Sequence, residues 1–252
     1  AEMLKEAGLP DGAYNVVPGL GPVAGAALSA HPDIDKLSFT GSVPTARRIM
    51  TSAAEGPRGI SLELGGKSPL IAFEDSNIEA LVDWIITGFC WGTGQVCSAT
   101  SRVFLHKSIR EEVLSKVVEK LKTLPIGNMS DPAFCADDKF ESPMMGPVIS
   151  KIQYDKIWGY IDEANADQAI TRLYGGDRSL GANQDPKGFF IPPTVYVDVP
   201  TDARVWKEEI FGPVLCVREF ESEEEALRIA NDSVYGLEEP DWENVAARFR
   251  GA

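Results

Sequence analysis

Residues 36–64 constrain the fold of this chain more than any other stretch. A strand is predicted over 36–40 (Lys-Leu-Ser-Phe-Thr), a turn at Gly41-Ser42, and a helix over 44–54 with Pro44 in its first turn. Another strand is predicted over 60–64. Strands alternating with helices argue for parallel β-α-β units. The alternation runs on. Strands are predicted over 68–73, 102–106, 194–198 and 214–220, and helices over 109–121, 152–164 and 223–230. A further helix over 77–89 carries Ile78, Leu81, Val82, Ile85, Ile86 and Phe89 at helical spacing, with Asp75 or Ser76 as its cap. Upstream, a helix over 1–7 stops at Gly8, 14–17 reads as a short buried strand, and 23–29 as a small helix. Residues 125–147 read as a connecting loop. The expected fold class is α/β throughout, with a boundary near 65.

Charge and cysteine usage narrow the function classes. The 252 residues hold 24 Lys and Arg against 38 Asp and Glu, a net charge of −14. That balance argues against a nucleic-acid partner, which requires a basic footprint. No apolar run approaches the roughly 20 residues that span a bilayer. Cys90, Cys97, Cys135 and Cys216 form no CxxC pair, and the chain has only His31 and His106. Free thiols are expected, with neither a disulfide framework nor a zinc site. The chain starts at Ala1 with no initiator methionine or leader and reads as entered midway.

Four segments carry residues suited to chemistry. In Ser38-Phe39-Thr40-Gly41-Ser42 a strand turns into a helix, whose first backbone N–H groups can bind a phosphate while Gly41 admits a ligand to the backbone. The same stretch also reads as an ordinary turn with Ser42 as N-cap. Glu63 ends an otherwise apolar strand before Gly65-Gly66, so it is a candidate general base tuned by burial; a carboxylate paired with Lys67 or an arginine is the alternative. Cys97, in the Gly-containing turn Gly94-Gln95-Val96-Cys97, is placed for exposure and thiolate chemistry, whereas Cys90 and Cys216 sit in apolar stretches and read as core. Glu208-Glu209-Ile210-Phe211-Gly212-Pro213 offers a carboxylate for a ribose and an aromatic for a flat ring, or else a solvated acidic pair before a buried Phe.

Taken in order, Phe-Thr-Gly-Ser at 39–42, Leu-Glu-Leu-Gly-Gly-Lys at 62–67, Gly-Gln-Val-Cys at 94–97 and Glu-Glu-Ile-Phe-Gly-Pro at 208–213 resemble the NAD(P)-dependent aldehyde dehydrogenase superfamily. Residues 95–102 and 211–217 are most similar to the betaine aldehyde and aminoaldehyde dehydrogenases of plants and algae. The resemblance covers about residues 1–237. It implies that 1–65 is the closing part of a Rossmann-type NAD-binding domain, 66–237 an incomplete catalytic domain, and 238–252 a divergent tail. The tail predicts a helix over 241–250 with Trp242, Val245, Ala246 and Phe249 on one face.

The resemblance also implies roles. Cys97 would attack an aldehyde, hydride would leave for NAD, and Glu63 would activate the water that hydrolyses the thioester. The Cys97 N–H would be one oxyanion donor. Gly41 and Ser42 would face the cofactor pyrophosphate, Leu64 and Gly65 the nicotinamide, and Glu209 a ribose with Phe211 packed nearby. Trp91 would join an aromatic pocket suited to an ammonium substrate. Two departures stand out: Ala46 where the family usually has Gly, and Gly92-Thr93 where it usually has an Asn in the turn. The adenosine contacts of the family lie upstream of Ala1, so the chain by itself is expected to be inactive and to bind NAD only at roughly millimolar concentration. A non-catalytic subunit, packed into a larger assembly through its incomplete sheet and the tail 241–250, is the alternative expectation. Chloroplast, peroxisome and cytoplasm all occur among relatives, and the sequence leaves the compartment open.

Overall fold

Strands buried on both faces need apolar side chains at every position, and this sequence supplies them in short runs bounded by polar residues. The computed structural model describes residues 2–56, 58–128, 145–178 and 188–237, which divide between Leu64 and Gly65 into two compact units. The expected tail helix and Cys135 lie outside the described residues.

The first unit contains α1 (Glu2–Glu6), a π-turn (Gly21–Gly25) running into α2 (Ala26–Ala30), β1 (Lys36–Thr40), α3 (Val43–Ala54) and β2 (Gly59–Glu63). β1 and β2 pair in parallel from Lys36 opposite Gly59 to Thr40 opposite Glu63. α3 turns Ala46 and Ala53 inward. The Ser29 carbonyl accepts from Ser52 Oγ at 3.2 Å and Arg58 Nη1 at 3.0 Å, tying α2 to α3 and to the approach of β2. The strand expected over 14–17 is absent. Those residues pair with no other segment, and Tyr14, Val16 and Val17 are exposed. An apolar run becomes a strand only when a partner takes its backbone groups.

The second unit is built on a five-stranded sheet in the order β3-β4-β7-β6-β5. In chain order its elements are β3 (Pro69–Ala72), α4 (Ile78–Cys90), β4 (Arg102–His106), α5 (Arg110–Thr123), α6 (Lys151–Ala166), β5 (Thr171–Tyr174), β6 (Thr194–Val197), α7 (Arg204–Lys207), β7 (Val214–Phe220) and α8 (Glu223–Ala230). β3, β4, β7 and β6 run parallel, and β5 joins β6 antiparallel at the edge. The α/β class is therefore as expected. Asn77, rather than Asp75 or Ser76, caps α4: its Oδ1 accepts from the Ala80 amide at 3.1 Å.

Alternate residues of each central strand feed two cores. Val103, Leu105, Val195, Val197, Leu215 and Val217 face α4 and α5. Phe104, Tyr196, Val214 and Cys216 face α6, α7 and α8. The sheet thus holds a helical layer on each side, and the turns at its strand ends carry the residues of interest. Among the described residues no helix is long and apolar enough to cross a membrane.

Phe104 is 0 % exposed, and its ring meets Trp206 edge-on at 5.5 Å. Phe104→Ala should cost about 3–5 kcal/mol of unfolding free energy, read from the urea midpoint at unchanged slope. A loss below about 1 kcal/mol would mean that the layer below the sheet is not packed as described.

Candidate functional site

Three backbone turns of the second unit pack against one another, and glycine is what lets them. After α4 the chain passes through a 3-10 turn (Trp91–Gly94) in which Gly92, Thr93 and Gly94 all have positive φ. A Cβ on Gly94 would run into the Gly212 carbonyl, and one on Gly66 would sit 2.5 Å from the Cys97 carbonyl oxygen. A Cβ on Gly65 would collide with the Glu209 carboxylate. The segment 92–97 is therefore in backbone contact with 65–67 and with 209–213, and the Glu209 carboxylate joins the last two. The structure brings together Gly65, Cys97, Glu209 and Phe211 in this way.

Cys97 is half-buried, unlike Cys90 and Cys216, which are sealed in the core as expected. Its turn is pinned from several sides. The Gln95 amide and Nε2 both donate to the Gly92 carbonyl, at 3.1 and 3.2 Å, and Gln95 Oε1 accepts from the Ile149 amide at 3.0 Å. Thr93, at φ 58°, is a β-branched residue in the left-handed region, where Asn is far more at ease. Its hydroxyl donates to the Gly146 carbonyl at 3.0 Å, which offsets part of that strain. Trp91, at the head of the turn, is 63 % exposed, so the described residues do not enclose it in an aromatic pocket.

The expected acidic pair divides. Glu208 accepts from the Tyr160 hydroxyl at 2.5 Å and from Arg204, and these two partners hold its carboxyl below the usual range. Glu209 is half-buried, and its Oε1 accepts from the Gly66 amide at 3.3 Å. Burial raises the Glu209 carboxyl above its ordinary range, while the Gly66 amide, Lys156 and Lys67 pull the other way. Its backbone is held as well. The Glu209 amide donates to the Tyr235 hydroxyl at 3.2 Å, and Lys156 Nζ donates to the Glu209 carbonyl at 3.2 Å. Gln153 Nε2 donates to the carbonyls of Ile210 and Phe211, at 3.1 and 2.7 Å, and so fixes Phe211 at a φ of 59°.

Behind these turns lie two cations; the sequence reading named Lys67 only as an alternative partner for Glu63, and Arg102 not at all. Lys67 is 2 % exposed, and its Nζ donates to the Val205 carbonyl at 2.9 Å. Burial, with the Arg102 charge adding to it, lowers its pKa from 10.5 to about 8; Cys216, Glu209 and Glu208 oppose the shift. Arg102 is equally buried. It donates to the Lys67, Ile229 and Ala230 carbonyls, and burial brings its pKa down to about 10. Only the position of Lys67, directly after Gly-Gly, offered any signal for either.

In the first unit the Gly41 amide donates to the Glu63 carbonyl at 2.9 Å, so the β1 turn and the end of β2 are adjacent. Ser42 stands at the N-cap position of α3, but its hydroxyl pairs with Thr45 Oγ1 at 3.0 Å and caps no amide. Glu63 is exposed, so the burial expected of it is absent; Leu64 is half-buried. Ala46, the residue larger than the Gly usual in the family, is 1 % exposed within the unit.

A sequence model of the aldehyde dehydrogenase family matches residues 1–242. A peroxisomal aminoaldehyde dehydrogenase of Pisum sativum is 49% identical over 236 residues, 94% of this chain and 44% of the relative. A chloroplastic betaine aldehyde dehydrogenase of Beta vulgaris is also 49% identical, over 94% of this chain and 45% of its own length. Among solved structures, a double mutant of betaine aldehyde dehydrogenase from Staphylococcus aureus in complex with NAD+ gives a TM-score of 0.84 at 40% identity, covering 93% of this chain and 45% of that one. An NAD+ complex of aldehyde dehydrogenase from Bacillus cereus gives 0.84 at 41% identity, with the same coverage. The chain spans a little under half the length of these relatives.

Lys67 gives the site a pH signature. Between about pH 8 and 10.5 the unfolded chain holds a proton on this amine that the folded protein has released. Stability from this group therefore rises with pH across that window, and below it the buried charge costs about 3 kcal/mol relative to a hydrated ammonium. Urea unfolding of the parent and Lys67→Met from pH 7 to 9 should show the stability difference moving in favour of the parent as pH rises. A difference that stays constant would place Lys67 in water.

Proposed function

Because the chain belongs to the aldehyde dehydrogenase family, we propose that it carries the acyl-transfer machinery of a nicotinamide-dependent aldehyde oxidation, with betaine aldehyde or an aminoaldehyde as substrate. The observation that carries this reading is the half-buried Cys97 in a turn packed backbone to backbone against Gly66 and the Glu209 segment. In this proposal the Cys97 sulfur adds to the aldehyde carbonyl and gives a thiohemiacetal, whose oxyanion the Cys97 N–H helps to hold. NAD+ supplies the hydride acceptor that converts it to a thioester. Glu63 takes a proton from the water that hydrolyses the thioester to a carboxylate.

The unit 1–64 is assigned the cofactor side and the residues from Gly65 onward the catalytic side. α3, twelve residues long, starts where no side chain caps its amides, which suits a pyrophosphate against Gly41 and Ser42. Leu64 and Gly65 would lie against the nicotinamide. Glu209, already accepting from one N–H donor, would take ribose hydroxyls, with Phe211 beside it. Trp91, with most of its ring in solvent, is free to offer a face to a cationic substrate.

Packing into a larger assembly, a role that the catalytic and non-catalytic readings share, is supported by one observation. The first unit leaves Val16, Val17, Leu20 and Val23 exposed beside a parallel sheet of only two strands. Such an edge and apolar surface suit a further strand, so this face is assigned a protein partner or a second copy. Light scattering should give a mass above that of the monomer; a monodisperse monomer at 100 μM would remove this reading.

Cys97 is tested by iodoacetamide alkylation with peptide mapping of the adducts, and by protection of the thiol when an aldehyde substrate is present. Label should appear on Cys97 in the folded chain, disappear in Cys97→Ala, and spare Cys90 and Cys216, whose 0 % exposure makes them internal controls. An unlabelled Cys97, or adducts on the two core thiols first, would end the nucleophile assignment. No turnover of betaine aldehyde with NAD+ is expected from this chain alone, and turnover from it would overturn both that expectation and the non-catalytic reading.

A further inference from the structure

Lys67 is used by no step above, yet its surroundings are closely built. Its Nζ reaches the Val205 carbonyl, in the single turn of α7, and Glu209 stands two residues beyond that turn. The same carbonyl accepts from the Cys216 thiol at 3.4 Å, so donors on two segments seat α7. The Glu209 carboxylate then returns to the Gly66 amide, the neighbour of Lys67. Residues 66–67 and 205–209 therefore form a closed loop, hydrogen-bonded at both ends. Arg102 from β4, Cys216 from β7, and Glu208 and Glu209 from the segment after α7 are the charged and titratable groups facing the amine. No carboxylate lies within ion-pair distance of Lys67 among the described residues, so its charge acts on Glu209 through the field and through the seat of α7.

We propose that Lys67 is a positioning residue: its buried ammonium braces α7 against the Gly65-Gly66 turn and thereby holds the Glu209 carboxylate on the Gly66 amide. That Glu209 serves a cofactor rests on the proposed function; the brace does not. With the ammonium charged, Glu209 feels a nearby cation and its ionised form is favoured. When Lys67 loses its proton the field on Glu209 falls, and the Gly66 N–H senses the change.

The Gly66 amide can be watched in isolation. The sequence has only two Gly-Gly pairs, 65–66 and 175–176. Labelling with both carbonyl-13C and 15N glycine therefore leaves the Gly66 and Gly176 amides alone in a carbonyl-filtered spectrum. From pH 4 to 9 the Gly66 amide should titrate twice in the parent, once in acid with Glu209 and once near pH 8 with Lys67. In Lys67→Met the alkaline step should vanish and the acid step move upward, because Glu209 has lost a cation. Lys67→Gln, which keeps a donor for Val205 without the charge, should show the same two changes while preserving the spectrum of the fold.

A Gly66 amide that passes unchanged through pH 8 in the parent would overturn the brace, and it does so even where both variants fail to fold. An acid step with the same midpoint in a folded variant would overturn it as well. NAD+ takes no part in these measurements. A Glu209→Gln protein that binds NAD+ like its parent would therefore defeat the cofactor assignment and leave the brace standing.

Discussion

The guanidinium of Arg102 is the contact on which the second unit depends. It enters the sheet at the first residue of β4 and donates to the Lys67 carbonyl on one side and to the last two carbonyls of α8 on the other. A helix C-terminus leaves its carbonyls without intrahelical partners, and a buried one must find donors elsewhere. Arginine supplies several from one rigid fork, and its face lies 5.5 Å from the Trp206 ring. Lysine could not span the three acceptors. Desolvating a cation is costly, as the depressed pKa of about 10 records, and only this full set of acceptors offsets it. Because the Lys67 carbonyl is one of the three, the same contact fixes where Gly65 and Gly66 emerge.

The helices and central strands could be read in the sequence because their signal is local. β4 and β7 each contain an unbroken apolar run, 103–105 and 214–217, and β1 spans the residues expected of it. The elements that escaped are those whose stability comes from elsewhere. β5 (Thr-Arg-Leu-Tyr) is a mostly exposed edge strand with a register shift, so it carries no apolar alternation. α7 is a single turn, seated by Cys216 from β7 and by Lys67 from far along the chain. The run at 14–17 failed in the opposite direction, apolar enough for a strand but without a partner for its backbone.

At the site, the motif residues were legible because glycine and cysteine at fixed spacing have few other uses. Their supports were not. Gln153 and Lys156 sit on α6 and act on the carbonyls of Glu209, Ile210 and Phe211, more than fifty residues away. No pattern in either segment announces the other. The burial expected of Glu63 rested on apolar neighbours in sequence, but an alternating strand sends successive side chains to opposite faces, and the carboxylate went to the open one.

Of the three non-glycine residues with positive φ among the described residues, Asp198 directly follows β6, and the other two, Thr93 and Phe211, lie at the site. Gly92, Thr93, Gly94 and Phe211 all take positive φ, and the first three lead directly into the Cys97 turn. For Thr93 and Phe211 this conformation is costly, of order 1–3 kcal/mol each, and it persists only where the surroundings dictate it. Here they do. Thr93 is held by Gly146, and Phe211 by Gln153. The contact between the Gly94 turn and the Gly212 backbone leaves room for neither segment to relax alone. A thiol on an ordinary helix end would follow the thermal motion of that end. One placed after three left-handed residues, wedged backbone to backbone against a second strained turn, is held to a narrow range of positions, and the stability that holds it comes from the layered core beneath the sheet.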